Sequence, residues 1–257
     1  LLTLGARNCV RAGYTLVPEL YDIPLSFHPK RGQIEGNLDI VRRLGHDAPF
    51  SEPRIFFSQE DAEHATALLP DLAQNPDRPR IAFVTQNSGG QPNRWSDERF
   101  QQVITQLTQK TNAIPIFFGT SADASAINTL RQALSHTGVS LAGRTTIPQL
   151  AAALAQCDLV ISLDTGTFHV ARAVELPGVV IAPAWQSPLE WLPVDHPQYR
   201  VLRGPSIAAP PPDYWIEEVT VEQVINAATD MLNSFPPDAA ARAARIRRSL
   251  APNTLRQ

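Results

Sequence analysis

The spacing of apolar positions changes near residue 80. Before it, the first 50 residues read as loops and one helix. Ile34, Leu38, Val41 and Leu44 fall on nearly one face of a helix over 33–44, and Gly45 is placed to close it. Ser58-Gln59-Glu60-Asp61 is a capping-box pattern with a shorter acid; it opens a helix to about Leu69, which Pro70 ends. The polar, proline-containing stretch 74–80 reads as a linker.

After residue 80, short continuous apolar runs alternate with amphipathic segments. The runs 80–85, 114–118, 159–163, 178–182 and 199–202 read as strands, with a further short segment at 139–141. Between them, Ser96 precedes a helix carrying Phe100, Val103, Ile104 and Leu107, and Ile127, Leu130 and Leu134 share a face over 124–134. Thr146-Ile-Pro-Gln149 and Thr220-Val-Glu-Gln223 are capping boxes opening two more helices, and a short helix follows the strand at 159–163. Strands without polar alternation belong to a parallel sheet covered on both faces, so the pattern predicts a Rossmann-like α/β domain.

Composition narrows the function classes. Of 257 residues, 43% are hydrophobic and 18% charged, enough to bury a core. No run approaches the roughly 18 apolar residues of a membrane span. A net charge of −3 gives no general attraction to nucleic acid. The two cysteines, Cys9 and Cys157, provide neither a disulfide framework nor zinc-ligand spacing, and the six histidines form no metal pattern. Cys157 reads as a small buried residue, and a reduced, cytoplasmic setting fits. The chain opens Leu1-Leu2-Thr3-Leu4-Gly5 without an initiator methionine or a signal peptide, so it reads as part of a longer protein. The tail after Pro237 is basic and helix-prone; it reads as a solvated terminal helix, with a contact to anionic lipid or a partner as the sharper reading.

Ligands in open parallel sheets bind at the carboxyl ends of the strands. Small, glycine-rich and hydroxyl-bearing segments follow those ends here: 86–95, 119–123, 142–146, 164–169 and 183–187. The sharpest is Asp164-Thr165-Gly166-Thr167-Phe168-His169. A helix starting there offers unpaired N–H groups to a phosphate oxygen, Gly166 admits a ligand to the backbone, and His169 can donate to a phosphate or sugar oxygen. Asp164 suits a sugar hydroxyl or a helix cap; on the plainer reading Asp164 and Thr165 only cap the helix. Ser88-Gly89-Gly90 could form a second anion-binding turn with Arg94 as countercharge, while Trp95 reads as core. A lone Asp-Thr-Gly between a parallel strand and a helix does not suit an aspartic protease, which needs paired carboxylates in β domains. Neither a dinucleotide fingerprint nor a P-loop is present.

Four segments, in order, resemble the C-terminal half of glycosyltransferase family 9, the heptosyltransferase family of lipopolysaccharide core assembly. They are Ser88 to Ser96 with Phe100; Leu141 to Leu150; Cys157 to His169 continuing to Ala173 and Pro177; and Ala184 to Pro193. The resemblance implies a GT-B enzyme with two Rossmann-like domains, of which the N-terminal one is incomplete. It divides the chain into an acceptor-side remnant over 1–75, a nucleotide-sugar-binding domain over 76–235 and a basic helical tail over 236–257.

On that pattern Asp164, Thr165, Gly166, Thr167 and His169 contact the sugar and diphosphate of the donor. Ser88 and Gly89 hold phosphate with Arg94, Thr145 lies near the base and Asp123 reaches the ribose. The family implies a nucleotide-diphospho-sugar such as ADP-heptose as donor and a glycan or glycolipid acceptor. It implies no metal, no separate cofactor, and a cytoplasmic protein in peripheral contact with the inner membrane. The chain departs from the pattern at Asn93, where the family often has Lys, and at Ser96, where it has Pro. No residue matches the family's N-terminal general base, so the catalytic residues stay unassigned. A non-catalytic nucleotide-sugar-binding domain is the alternative.

Overall fold

The computed structural model describes residues 9–26, 32–69, 75, 77–87, 92–185, 191–211 and 214–251. Ser88 and Gly89, and residues 74 and 76 of the expected linker over 74–80, lie outside them. The chain divides into two compact units, 1–53 with 187–193, and 54–186 with 194–257.

In the first unit, β1 (Ala12–Tyr14) pairs in parallel with β2 (Ile23–Leu25), joined through a 3-10 turn at Pro18–Leu20. Neither strand is expected from the sequence pattern. Arg11 locks the connection with its backbone N–H and guanidinium on Asp22, which draws that carboxyl down to about 2. The helix α1 (Gln33–Arg43) forms as its periodicity predicts, with Gly45 at φ +89° just beyond its end. The Tyr14 hydroxyl donates to the Gly36 carbonyl at 2.9 Å and ties α1 to β1.

The second unit begins earlier than the expected boundary at 75. Its first helix, α2 (Gln59–Ala67), carries the Ser58–Asp61 capping box and buries Ala62 and Ala65. It packs on α5 (Ile147–Leu154), whose alanines allow close approach. The sheet follows: β3 (Arg80–Val84), β4 (Ile114–Phe117), β5 (Val139–Ser140), β6 (Leu159–Leu163), β7 (Gly178–Ile181) and β8 (Tyr199–Leu202). Its order is β5-β4-β3-β6-β7-β8 and every pairing is parallel. The connecting helices are α3 (Asp97–Thr111), α4 (Ala124–Ala133), α5 and α6 (Gly166–Ala173), with α7 (Val221–Ser234) after β8. Residues of β3, β4, β6 and β7 are buried throughout, as continuous apolar runs require.

The tail is not a solvated helix. It forms α8 (Ala239–Ser249), capped by both carboxylate oxygens of Asp238, and buries Arg242 and Arg245. Arg242 grips both oxygens of Asp158 at 2.8 Å, while Arg245 donates to the carbonyls of Ala155 and Cys157 beyond the end of α5. Beyond α8, Leu250 forms a parallel bridge with Phe57, so the tail closes onto the segment that opens this unit. The expected separate tail is therefore part of the sheet domain, because its inward arginines find acceptors there.

Burial pushes the Cys157 thiol up to about 12, whereas Cys9 is exposed. A maleimide at about pH 8 is expected to label Cys9 alone in the folded chain and both cysteines after denaturation, since the thiolate is the reacting form. Mass spectrometry counts the labels, and two on the folded chain would refute the burial of Cys157.

Candidate functional site

The sheet runs outward from β3 through β4 to β5, then returns to β6 and runs the other way to β8. Strand order therefore reverses between β3 and β6, whose registers place Val84 beside Ser162. Such a reversal opens a crevice at the carboxyl ends of the two central strands. A cavity of about 70 Å³ lies there, lined by Thr85, Gln86, Asn87, Arg94, Trp95, Asp97, Leu163 and Trp215.

The loop after β3 is tied to the end of β6 by two amides. Asn87 donates to the Asn93 side-chain oxygen at 2.6 Å, and the Asn93 amide donates to the Asp164 carbonyl at 2.9 Å. Asn93 is 1% exposed. Where the resembling family often carries a cation, this chain thus has a buried spacer that couples the two loops.

At the start of α6, Thr165 is the N-cap residue but its side chain makes no capping hydrogen bond. Its hydroxyl is buried and has no partner among the described residues. The helix therefore leaves its first N–H groups to other acceptors. A Cβ added at Gly166 meets no described atom within 4 Å, so the space beside the helix start is open. Asp164 is buried, and its Oδ1 lies 3.6 Å from Nε2 of half-exposed His169. The structure thus brings Asp164, Thr165, Gly166, Thr167 and His169 together against the Asn93 loop, with Thr165 at the N-cap position but making no side-chain cap among the described residues.

Arg94 lies on the same rim, exposed, with its guanidinium 5.8 Å from the centre of the Trp215 ring. Trp95 points inward as expected: it is 2% exposed, meets Phe100 edge-on at 4.8 Å and donates to the Val219 carbonyl. Past β7, the Trp185 indole donates to the Pro92 carbonyl at 2.8 Å. The Tyr214 phenol binds the Ala184 N–H and Glu218; burial and the Glu218 carboxylate push it above its ordinary value, so it stays neutral.

The other two expected contacts lie further along the rim. Asp123 follows β4 and spends one oxygen on the N–H and hydroxyl of Thr120, closing a capping box. Thr145 follows β5, one residue before the Thr146 cap of α5. Gly143 at φ +69° brings this loop against the Asp123 turn: its N–H donates to the Gly119 carbonyl, and a Cβ there would sit 2.8 Å from the Ser121 Cα. With strands about 4.8 Å apart, β5 and β6 are separated by about 14 Å along the rim, so an elongated ligand is needed to span from Thr145 to Asp164. Trp215, Asn87 and the buried role of Asn93 were missed from sequence; only the Asn87 and Asn93 amides, so close to a strand end, gave any signal.

Among the described residues no group of three or more His, Cys, Asp or Glu could hold a metal, and no helix is long and apolar enough to cross a membrane.

A family model of glycosyltransferase family 9 (heptosyltransferase) matches residues 21–201. The chain belongs to glycosyltransferase family 9. Within the family, it is 27% identical over 146 residues to lipopolysaccharide heptosyltransferase 2 of Salmonella typhimurium, covering 55% of this chain and 41% of that protein. The chain spans under half the length of the curated relatives it matches. In fold, this family-9 chain is similar to the Escherichia coli ADP-heptose lipopolysaccharide heptosyltransferase II. That match has a TM-score of 0.67 at 20% identity and covers 88% of this chain and 70% of that one. An E. coli heptosyltransferase with ADP-2-deoxy-2-fluoro heptose matches with a TM-score of 0.58 at 16% identity, covering 84% and 61%. These likenesses show the Rossmann-like α/β fold of family-9 structures.

Proposed function

We propose that this chain binds a nucleotide-diphospho-sugar, with ADP-heptose as the favoured donor, for transfer of the sugar to a lipopolysaccharide-core or other glycan acceptor. The observation that carries this reading is the start of α6 at the sheet's reversal point, where a buried threonine hydroxyl lacks a described partner and the space beside Gly166 is open. Family membership supports the reaction class, and the ADP-sugar in a solved structure of like fold supports the donor. The acceptor hydroxyl forms a bond to the anomeric carbon as the bond to the diphosphate breaks, and the diphosphate leaves with that electron pair. Arg94, His169 and the N-terminus of α6 stabilise the departing charge. Asp164 holds a sugar hydroxyl, Thr145 lies toward the base, and Asp123 offers the ribose its remaining oxygen. Ser88 and Gly89 complete the phosphate contacts. The proton passes to a base whose identity stays open. A glycolipid acceptor places the protein at the cytoplasmic side of the inner membrane, in peripheral contact.

Calorimetric titration with ADP-heptose and other nucleotide-sugars, paired with a transfer assay, tests the reading. Thr165→Val removes a buried hydroxyl that has no described partner, so stability is expected to hold or rise, while donor affinity falls by about 0.5–1.5 kcal/mol. Gly166→Ala fills only open space and is expected to fold normally yet weaken binding severalfold. Unchanged donor affinity in both variants would remove the support for this site. Donor binding without transfer would favour the binding-only alternative.

A further inference from the structure

The segment Pro92 to Trp95 is pinned from four directions. Trp185 Nε1 donates to the Pro92 carbonyl, the Asn93 amide holds the Asp164 carbonyl, Ile216 N–H donates to the Arg94 carbonyl at 2.7 Å, and Trp95 Nε1 donates to the Val219 carbonyl. The backbone of Arg94 is therefore fixed, and the bridge that fixes it pairs Arg94 with Trp215. Trp215 is 45% exposed although it is one of the largest side chains in the domain, and it lines the crevice cavity beside Thr85 and Asn87. Its ring lies under the Arg94 guanidinium. No described carboxylate forms an ion pair with Arg94. A long cation otherwise samples many rotamers; an indole face restricts them without neutralising the charge.

We infer that Trp215 is a positioning residue: its indole face holds the Arg94 guanidinium over the crevice, so that the cation meets the diphosphate of a bound nucleotide. The inference rests on the nucleotide-sugar reading above. The device differs from an ion pair in that the full positive charge stays available to the ligand. It also differs from a direct stacking platform, since the guanidinium lies over the ring.

ADP is the probe, titrated calorimetrically into the wild-type chain, Trp215→Ala, Trp215→Phe, Arg94→Ala and the Arg94→Ala/Trp215→Ala double variant. Arg94→Ala is expected to lose about tenfold or more in ADP affinity. Trp215→Ala is expected to lose about three- to fivefold, and Trp215→Phe to retain most of the affinity because it still offers a ring face. In the Arg94→Ala background, Trp215→Ala is expected to add almost nothing, because its effect runs through the guanidinium. Wild-type affinity in Trp215→Ala, or losses that simply add in the double variant, overturns the positioning role while leaving nucleotide binding intact. Failure of the wild-type chain to bind ADP overturns the nucleotide reading itself, and the inference with it.

Discussion

Asp158→Ala is expected to cost about 3–5 kcal/mol of stability, the range for leaving buried charges without their counter-ion. Asp158 precedes β6 and is buried with three arginines. It accepts from the Arg80 backbone N–H at 2.9 Å and from Arg242 through both oxygens at 2.8 Å. Arg80 and Arg245 spend donors on carbonyls at the end of α5, those of Gln156, Ala155 and Cys157. That helix end is the negative pole of its dipole, so it shares the positive charge with Asp158. Burial still pushes both guanidiniums below their ordinary value, and the neighbouring Arg242 adds to this, while Asp158 opposes it. Removing the carboxylate leaves the cations facing one another. Urea unfolding checks the size of the loss; a cost below about 1 kcal/mol would mean that the α5 carbonyls alone balance the arginines. Arg242→Met should cost less, because Arg80 and Arg245 still neutralise Asp158 and the methionine keeps the volume. The result matters for function because Asp158 fixes one end of β6 and Asp164 follows the other.

Legibility in the sequence followed the range of the interactions. Strands β6 and β8 occupy the residues that their apolar runs mark, and the capping boxes at Ser58, Thr146 and Thr220 start the helices they predict. Those signals are local. Strands β1 and β2 escaped because three residues cannot display a period. The tail misled because Arg242 and Arg245, three apart on an alanine-rich helix, look like a solvated face; their acceptors lie 84 or more residues away. Asp123 shows the converse. Thr120-Ser121-Ala122-Asp123 carries the spacing of a capping box, and the structure uses the carboxylate that way, so the turn was readable although it drew attention as a ribose contact. At the crevice, sequence order picked out the segment 164–169 because a strand end, a glycine and a helix start coincide. It could not show that Trp215, from an irregular proline-rich stretch, returns to Arg94.

Asp164→Ala is expected to lower donor affinity by about 1.5–3 kcal/mol if its carboxylate holds a sugar hydroxyl, the range for a hydrogen bond to a charged group. Asp164 is a buried carboxylate. Its side chain is 7% exposed, and His169 Nε2 stands 3.6 Å from its Oδ1, beyond a direct hydrogen bond. Its backbone, by contrast, is held by the Asn93 amide, so the side chain is kept in place whether or not it is satisfied. A buried carboxylate maintained in this way costs stability that a ligand hydroxyl can return. Asp164→Asn should therefore fold as well as the parent or better, and lose donor affinity by less than the alanine variant, because an amide oxygen still accepts. His169→Ala removes a donor at the half-exposed mouth and should cost about 0.5–1.5 kcal/mol of donor affinity. The two losses should not add, since the same ligand bridges both side chains. Calorimetric donor titrations on the single and double variants, with urea unfolding alongside, separate the outcomes. Full donor affinity in Asp164→Ala with a loss of stability would make the Asp164–His169 pair a structural brace for α6 and move the sugar elsewhere on the rim.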